Sequence, residues 1–208
     1  ISHYLVKQAR TLGLADATPF HIITPAVSDY LPVKTDFEFK KPLQVVTVAR
    51  LTWIKGLSIA LQAVAQLIKM GVQIHYTIIG DGPDREYLLH EIHALELTDH
   101  VTLAGKLPHA DTLNQMQQSD IYLQPSLNEG FCNAVLEAQA MGCLCIASRV
   151  GGLTENIEQG VTGWLFEPRD PEACAEAVLT LLDLSMDERI TTSSRARQRV
   201  ASHFQMTN

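Results

Sequence analysis

Short apolar segments alternate with amphipathic segments along the chain from Lys41 onward. Apolar segments rich in β-branched residues are typical of strands that are buried on both faces. The predicted strands cover residues 43–48, 72–79, 101–103, 121–124, 144–147 and 164–166. Between the first two, apolar residues recur three and four positions apart over 57–68, which indicates a helix. This alternation predicts βαβ units, and hence an α/β fold with a Rossmann-like parallel sheet flanked by helices.

Glycine and proline mark the ends of the predicted helices. Gly71 is expected to end the first helix, and Pro83 to occupy the first position of the next one. Asp170, followed by Pro171, is expected to cap a later helix. Towards the two chain ends, the pattern predicts a helix over 2–12, a strand over 21–23 before a turn at 25–32, and a helix over 186–204.

Composition limits the kinds of protein that this chain can be. With 208 residues, 46% of them apolar and 19% charged, it is long enough for one substantial core. A net charge of -7 and the absence of a long Lys/Arg run disfavour a nucleic-acid binder. The apolar segments are too short to span a bilayer, and the cysteines lack Cys-x-x-Cys spacing. We therefore expect a cytoplasmic protein with reduced cysteines, and, because it opens on Ile1 and ends without a stop signal, one cut from a longer chain.

The loop after the first strand carries two cations. In a doubly wound sheet, ligands bind beyond the carboxyl ends of the strands, so these loops are where chemistry is expected. Arg50 and Lys55 would suit a diphosphate, because guanidinium and ammonium groups next to a helix start neutralise phosphate charge. On this loop alone, a solvated basic turn is an equally good interpretation.

The loop after the fourth strand leads into a helix that carries two glutamates, Glu129 and Glu137. Eight helical positions rise by about 12 Å, comparable to the reach from a donor sugar across a diphosphate to a ribose. The alternatives are an acidic residue at a helix start for Glu129 and an exposed helical carboxylate for Glu137. Glu137 lies in a segment that is apolar nearly all round, where an unpaired carboxylate is costly, so we expect it to have a partner.

Three other features are less specific. The turn Gly80-Asp81-Gly82-Pro83 does not match G-x-G-x-x-G, which disfavours a nicotinamide dinucleotide. The Gly151-Gly152 turn could present backbone amides to an anion, or be a plain tight turn. His90 and His93 are spaced like metal ligands but have no matching third ligand, so a solvated helix face is favoured and no metal site is predicted.

Taken in order, these motifs resemble the C-terminal, donor-binding domain of glycosyltransferase family 4, also called group 1. The matching elements are Arg50-Leu-x-x-x-Lys55-Gly56, Gly80-Asp-Gly-Pro, Pro125-Ser-x-x-Glu129-Gly-Phe with Glu137, and Gly151-Gly152-x-x-Glu155, over about residues 41–184. The resemblance implies one half of a GT-B two-domain architecture. Residues 1–41 would be a linker or edge segment, 42–184 the Rossmann-like nucleotide-sugar-binding domain, and 185–208 a C-terminal helix.

The resemblance also implies retaining transfer of a sugar from a nucleotide-sugar to an acceptor. The implied catalytic residues are Arg50 and Lys55 on the diphosphate and Glu129 on the donor sugar. The implied donor-binding residues are Gly130, Phe131 and Asn133 along the sugar and phosphates, Glu137 on the ribose, and Lys106 and Leu107 beside the base. Neither a cofactor nor a divalent metal is expected, since no Asp-x-Asp motif is present. The acceptor would bind to a missing N-terminal domain, which would also make any membrane contact.

One departure from the family pattern concerns the donor. Cys132 stands where the family often has glycine, which would put a side chain beside the sugar. Two other functions remain open at this point: a GT-B nucleotide-sugar epimerase, and a non-catalytic module that binds nucleotide-sugars.

Overall fold

A single parallel sheet organises the chain in the computed structural model, which describes residues 2–13, 20–21, 26–27 and 31–204. Its strands are β1 (Leu43–Val48), β2 (Ile74–Ile79), β3 (Val101–Gly105), β4 (Ile121–Gln124), β5 (Leu144–Ser148) and β6 (Trp164–Phe166). They are ordered β3-β2-β1-β4-β5-β6, and every neighbouring pair is parallel. The chain winds outward from β1 to β3 and then returns to the other side of β1, which confirms the predicted α/β, Rossmann-like fold.

Helices cover both faces of this sheet. They are α1 (His3–Thr11), α2 (Leu57–Lys69), α3 (Arg85–Ala94), α4 (His109–Gln118), α5 (Asn133–Met141), α6 (Leu153–Asn156), α7 (Pro171–Leu182) and α8 (Met186–His203), with a short 3-10 helix at Trp53–Lys55. In the part of the chain that the structure describes, none of these helices has the length and apolar character needed to cross a bilayer.

Most predicted helix boundaries are confirmed, and one is wrong. The Asp170 carboxylate accepts a hydrogen bond from the Ala173 amide at 2.9 Å, as a helix cap does. Pro83, in contrast, does not begin a helix: α3 starts at Arg85, after Asp84. The Asp84 amide donates to the Leu51 carbonyl at 3.1 Å, and this contact holds the turn away from the helical path. The expected strand at 21–23 and the turn at 25–32 lie partly outside the described residues.

Two hydrophobic clusters fill the two sides of the sheet. On one side, α2 and α7 pack on the strands through residues such as Leu61, Val178 and Ile78. On the other side, α4 and α5 bury Met116 and Val135 against the sheet. Because both faces are covered, ligand access is left to the strand ends, and the carboxyl ends of all six parallel strands lie along one edge.

The C-terminal helix is attached to α5 by a third, smaller cluster. Val200 and Phe204 pack there against Leu136 of α5. At the end of α5, Gly142 lies close to Ser193 of α8, since a Cβ on Gly142 would be 2.6 Å from the Ser193 hydroxyl. α8 therefore packs on the same helix that carries Glu137.

Candidate functional site

The loops after β1 and β4 touch backbone to backbone. A Cβ added to Gly56 would lie 2.0 Å from the Pro125 carbonyl oxygen, and Gly56 has a left-handed φ of 62°. The same two loops are also joined by a hydrogen bond, in which the Leu127 amide donates to the Ile54 carbonyl at 2.8 Å. Only glycine fits at position 56, so the cationic loop and the loop that carries Glu129 are fixed relative to each other.

The loop after β2 supports the cationic loop from its other side. A Cβ on Gly80 would lie 1.9 Å from the Ala49 carbonyl oxygen, and one on Gly82 would lie 2.3 Å from that of Leu51. The Leu51 amide donates to the Asp81 carbonyl at 3.0 Å. The Gly80-Asp81-Gly82 turn therefore packs against the loop that carries Arg50.

The Gly151-Gly152 turn after β5 packs in the same way against the loop after β4. A Cβ on Gly151 would lie 2.1 Å from the Glu129 carbonyl oxygen, and one on Gly152 would lie 2.2 Å from that of Gly130. The Gly152 amide donates to the Glu129 carbonyl at 2.8 Å. Of the two interpretations left open by the sequence, the Gly152 amide supports the tight turn, because a protein carbonyl already occupies it.

Lys55 and Glu129 form an ion pair between two of these loops. Lys55 Nζ lies 2.6 Å from Glu129 Oε2, although the residues are 74 positions apart in the chain. The side chains are only 22% and 12% exposed. Charges this shielded from water are costly unless they are paired, and here each charge has the other as its partner.

A buried chain of hydrogen bonds, which we call the polar chain, runs from the core to Glu129. Tyr122 donates to Gln124 Oε1 at 2.8 Å, Gln124 Nε2 donates to Ser126 Oγ at 2.8 Å, and Ser126 Oγ donates to Glu129 Oε2 at 3.2 Å. Ser148 of β5 also donates its hydroxyl to the Ser126 carbonyl. Each buried polar atom finds a partner along this route, which fixes the rotamer of the carboxylate.

Glu137 on α5 has the partner that its apolar surroundings predict. Its Oε1 lies 3.4 Å from Nε2 of His109, the first residue of α4. The Glu137 side chain is 28% exposed, so the pair stands at the surface rather than in the core. His109 follows the loop of Lys106 and Leu107 directly, which places that loop beside α5.

Arg50 is a cation of the site without an ion-pair partner in the described part of the chain. Its side chain is exposed and forms neither a salt bridge nor a side-chain hydrogen bond with any residue that the structure describes. It follows β1 by two positions and therefore lies at the same sheet edge as Lys55. Lys106, after β3, is also exposed.

The residues that follow Glu129, as far as the start of α5, differ in their exposure to solvent. Asn133, the first residue of α5, is exposed, and Gly130 is half-buried. The Phe131 ring packs on Phe204 with 5.8 Å between ring centroids.

Cys132 is buried at the start of α5. Its side chain belongs to the second core cluster, and its amide donates to Asn156 Oδ1 at 3.2 Å. Its position beside a donor sugar stays a prediction. Burial raises the pKa of the Cys132 thiol to about 12. All four cysteines are free and buried.

The start of α1 lies across the loops after β4 and β5. The Glu155 carboxylate accepts hydrogen bonds from the amides of His3 and Tyr4 at 3.1 and 2.7 Å. The Tyr4 hydroxyl donates to Asn128 Oδ1 at 3.2 Å. A carboxylate at this position satisfies helix amides that have no partner within the helix. Glu155 therefore joins the N-terminal helix to the edge that carries Glu129.

The described parts of the chain contain no cluster of potential metal ligands. There, no group of three or more His, Cys, Asp or Glu side chains is arranged to hold a metal ion. The arrangement instead offers the paired Lys55, two carboxylates, and two cations without a salt bridge to any described residue, Arg50 and Lys106, along a sheet edge. Such a set suits an anionic ligand that also carries hydroxyl groups.

Comparison with known proteins identifies a family and relatives that are similar to this chain in sequence. A model of the family described as glycosyl transferases group 1 matches residues 34–199. The amylovoran biosynthesis glycosyltransferase AmsK of Erwinia amylovora is 35% identical over 170 residues, which are 79% of this chain and 42% of AmsK. The chain thus spans less than half the length of this relative.

Solved structures share the fold. Sucrose-phosphate synthase from Thermosynechococcus elongatus superposes with a TM-score of 0.86 at 24% identity, over 98% of this chain and 53% of that one. Anabaena Alr3699/HepE, solved in complex with UDP, superposes with a TM-score of 0.71 at 24% identity, over 99% and 50% of the two chains. These two likenesses concern the fold alone.

The polar chain predicts a specific loss of stability. Gln124→Leu should lower the free energy of unfolding by about 1–3 kcal/mol, because the buried Tyr122 and Ser126 hydroxyls would each lose a hydrogen-bond partner at 2.8 Å. Urea denaturation measures this difference. Gln198→Leu, at an exposed position of α8, is the control and should change little. Equal effects of the two substitutions would contradict the role of the polar chain.

Proposed function

The chain belongs to the glycosyl transferases group 1 family, and from this membership we propose that it is the donor-binding domain of a retaining GT-B glycosyltransferase. The reaction is transfer of a sugar from a nucleotide-sugar to an acceptor. The observation that carries the proposal is the Lys55–Glu129 ion pair at the carboxyl edge of the sheet, with Arg50 on the same loop as Lys55. Ligands of doubly wound sheets bind at this edge.

Arg50 and Lys55 serve the diphosphate. Arg50 has no protein partner in the described chain and can offer its planar set of donors to phosphate oxygens. Lys55, held by the β1 loop, adds a compact charge. Negative charge grows on the diphosphate as the bond to the sugar breaks. Cations already in place stabilise that charge without reorganisation, which lowers the barrier.

Glu129 holds the sugar. Its Oε2 is occupied by Lys55 and Ser126, whereas its Oε1 accepts no hydrogen bond from any residue that the structure describes. Oε1 is therefore available to a sugar hydroxyl. Gly130, Phe131 and Asn133 follow along the sugar and phosphates, with Asn133 at the start of α5.

Glu137 serves the ribose, and Lys106 and Leu107 flank the base. The support is their proximity: His109, which directly follows their loop, contacts Glu137 at 3.4 Å. Anabaena Alr3699/HepE, which has the same fold, binds UDP. The part of the relatives that this chain does not cover would supply the acceptor site and any membrane contact, with the protein in the cytoplasm. The domain alone would then transfer no sugar, because alignment with the acceptor would be lost.

Metal independence is the first test. The full-length protein should bind its preferred nucleoside diphosphate, selected from UDP, GDP and ADP, equally well in EDTA and in magnesium, because Arg50 and Lys55 supply the neutralising charge. Isothermal titration calorimetry measures both dissociation constants. A strict requirement for a divalent ion would contradict the proposed site.

The two glutamates provide a sharper test. Glu137→Ala should weaken binding of both the nucleotide-sugar and the free nucleoside diphosphate, since both contain the ribose. Glu129→Ala should weaken the nucleotide-sugar only, and should spare or strengthen the nucleoside diphosphate, because Lys55 loses its partner. Each lost charge-assisted hydrogen bond is worth about 1.5–3 kcal/mol, or about tenfold to a hundredfold in dissociation constant.

Calorimetry on folded variants, checked by circular dichroism, decides between the outcomes. Glu176→Ala, at an exposed position of α7, is the matched control and should leave both affinities unchanged. If Glu129→Ala and Glu137→Ala weaken the two ligands alike, the assignment of sugar and ribose is wrong.

A further inference from the structure

A groove lies beside the Lys55–Glu129 pair, on the α2 and α3 side of the sheet. It is enclosed by the short 3-10 helix, the start of α2 and the start of α3, and has a volume of about 500 Å³. This volume falls within the roughly 300–1,000 Å³ of sites for small molecules. Leu57 and Leu127 contribute apolar surface to it. The proposed donor site uses none of the side chains that line this groove.

Two aromatic side chains that line this groove are exposed to solvent. Trp53 is 71% exposed and Tyr87 is 59% exposed. Among the large hydrophobic side chains that the structure describes, none is more exposed than Trp53. The two residues come from different elements, the 3-10 helix and α3, yet line the same space. Aromatic faces left open beside a cavity point to a ligand with an apolar face.

The groove is also lined by polar side chains, namely one carboxylate and two hydroxyls. Asp84 precedes α3 at the capping position, but its carboxylate makes no capping hydrogen bond. It also forms no salt bridge with any residue in the described part of the chain. Thr52 and Ser58 bring hydroxyl groups to the lining. Among the described residues that line the groove none is a cation, so its chemistry disfavours phosphates, nucleotides and acidic lipids.

We propose that this groove binds a segment of an uncharged glycan. A pyranose ring presents an apolar face of C–H groups and a rim of hydroxyls, which matches aromatic walls combined with a carboxylate and hydroxyls. Sugar rings stack on Trp53 and Tyr87, and their hydroxyls donate to Asp84. An extended chain of sugars is favoured over a single nucleotide. A nucleotide is anionic, and the charged residue among those described in the lining, Asp84, is acidic.

The position of the groove assigns the glycan to the acceptor side of the reaction. Gly56 and Leu127 line the groove; Gly56 directly follows Lys55, and Leu127 precedes Glu129 by two residues, so an occupant of the groove lies near the Lys55–Glu129 pair. This acceptor role rests on the proposed function, whereas glycan binding itself rests on the groove.

Binding of named oligosaccharides tests the proposal. The full-length protein is titrated with maltohexaose and cellohexaose by calorimetry, and contacts are mapped by saturation-transfer NMR. At least one of them should bind, and Trp53→Ala and Tyr87→Ala should each weaken it about tenfold, the loss expected for about 1.4 kcal/mol of stacking. Tyr87→Phe keeps the ring and should retain most of the affinity.

Controls separate this proposal from the one before it. Met70→Ala, at the far end of α2 and 61% exposed, should leave oligosaccharide binding unchanged. UDP, GDP and ADP are titrated into the same variants, and Tyr87→Ala should bind the preferred nucleotide as the wild type does. Glycan binding without nucleotide binding would refute the donor site and leave the groove standing.

Three results would overturn the groove proposal. The first is the absence of binding by both oligosaccharides. The second is undiminished binding in a variant that carries both alanine substitutions. The third is binding of tetramethylammonium at Trp53 and Tyr87 in place of the oligosaccharides, since aromatic rings beside a carboxylate also suit a cation.

Discussion

Backbone contact between loops at the carboxyl edge of the sheet is the constraint on which the site depends. Gly56, Gly80 and Gly152 each lie so close to a carbonyl oxygen of a neighbouring loop that a Cβ there would overlap it. These contacts place the loop after β1 between those after β2 and β4, and the loop after β5 against that after β4. Cations and carboxylates that are distant in sequence are thereby brought together without relying on long side chains. A site fixed by packed backbone loses little entropy when a ligand arrives.

Electrostatics then determines what the packed loops hold. Lys55 and Glu129 are largely shielded from water, and each is tolerated there because the other is present. The polar chain through Gln124 and Ser126 keeps one carboxylate oxygen of Glu129 on the protein side, which leaves the other for a ligand. Arg50 has no partner in the described residues, so the pair and Arg50 together carry a net positive charge. Within a chain whose overall charge is -7, a local excess of this kind suits an anionic ligand.

Local patterns predicted the fold well, whereas contacts distant in sequence were harder to foresee. β1 and β4 have their predicted bounds because β-branched and apolar residues run through them. β2 starts at Ile74, two residues later than predicted, and α4 was not predicted because polar residues dominate its ten positions. In the site, the need of Glu137 for a partner was readable from its apolar neighbours. His109 was not, because the pairing spans 28 residues between two helices. Gln124 gave one readable signal, a polar side chain at the end of a buried strand.

Two glycine substitutions test most directly whether backbone packing builds the ligand site. Gly56 and Gly71 both have left-handed φ values, 62° and 88°, so alanine is strained at either position. They differ in space, because a Cβ on Gly56 meets the Pro125 carbonyl at 2.0 Å and one on Gly71 meets nothing within 4 Å. Calorimetric titration of both folded variants with the preferred nucleoside diphosphate separates strain from loop packing. Gly71→Ala should bind as the wild type does, and Gly56→Ala should lose about tenfold or more in affinity. Wild-type affinity in Gly56→Ala would contradict the account.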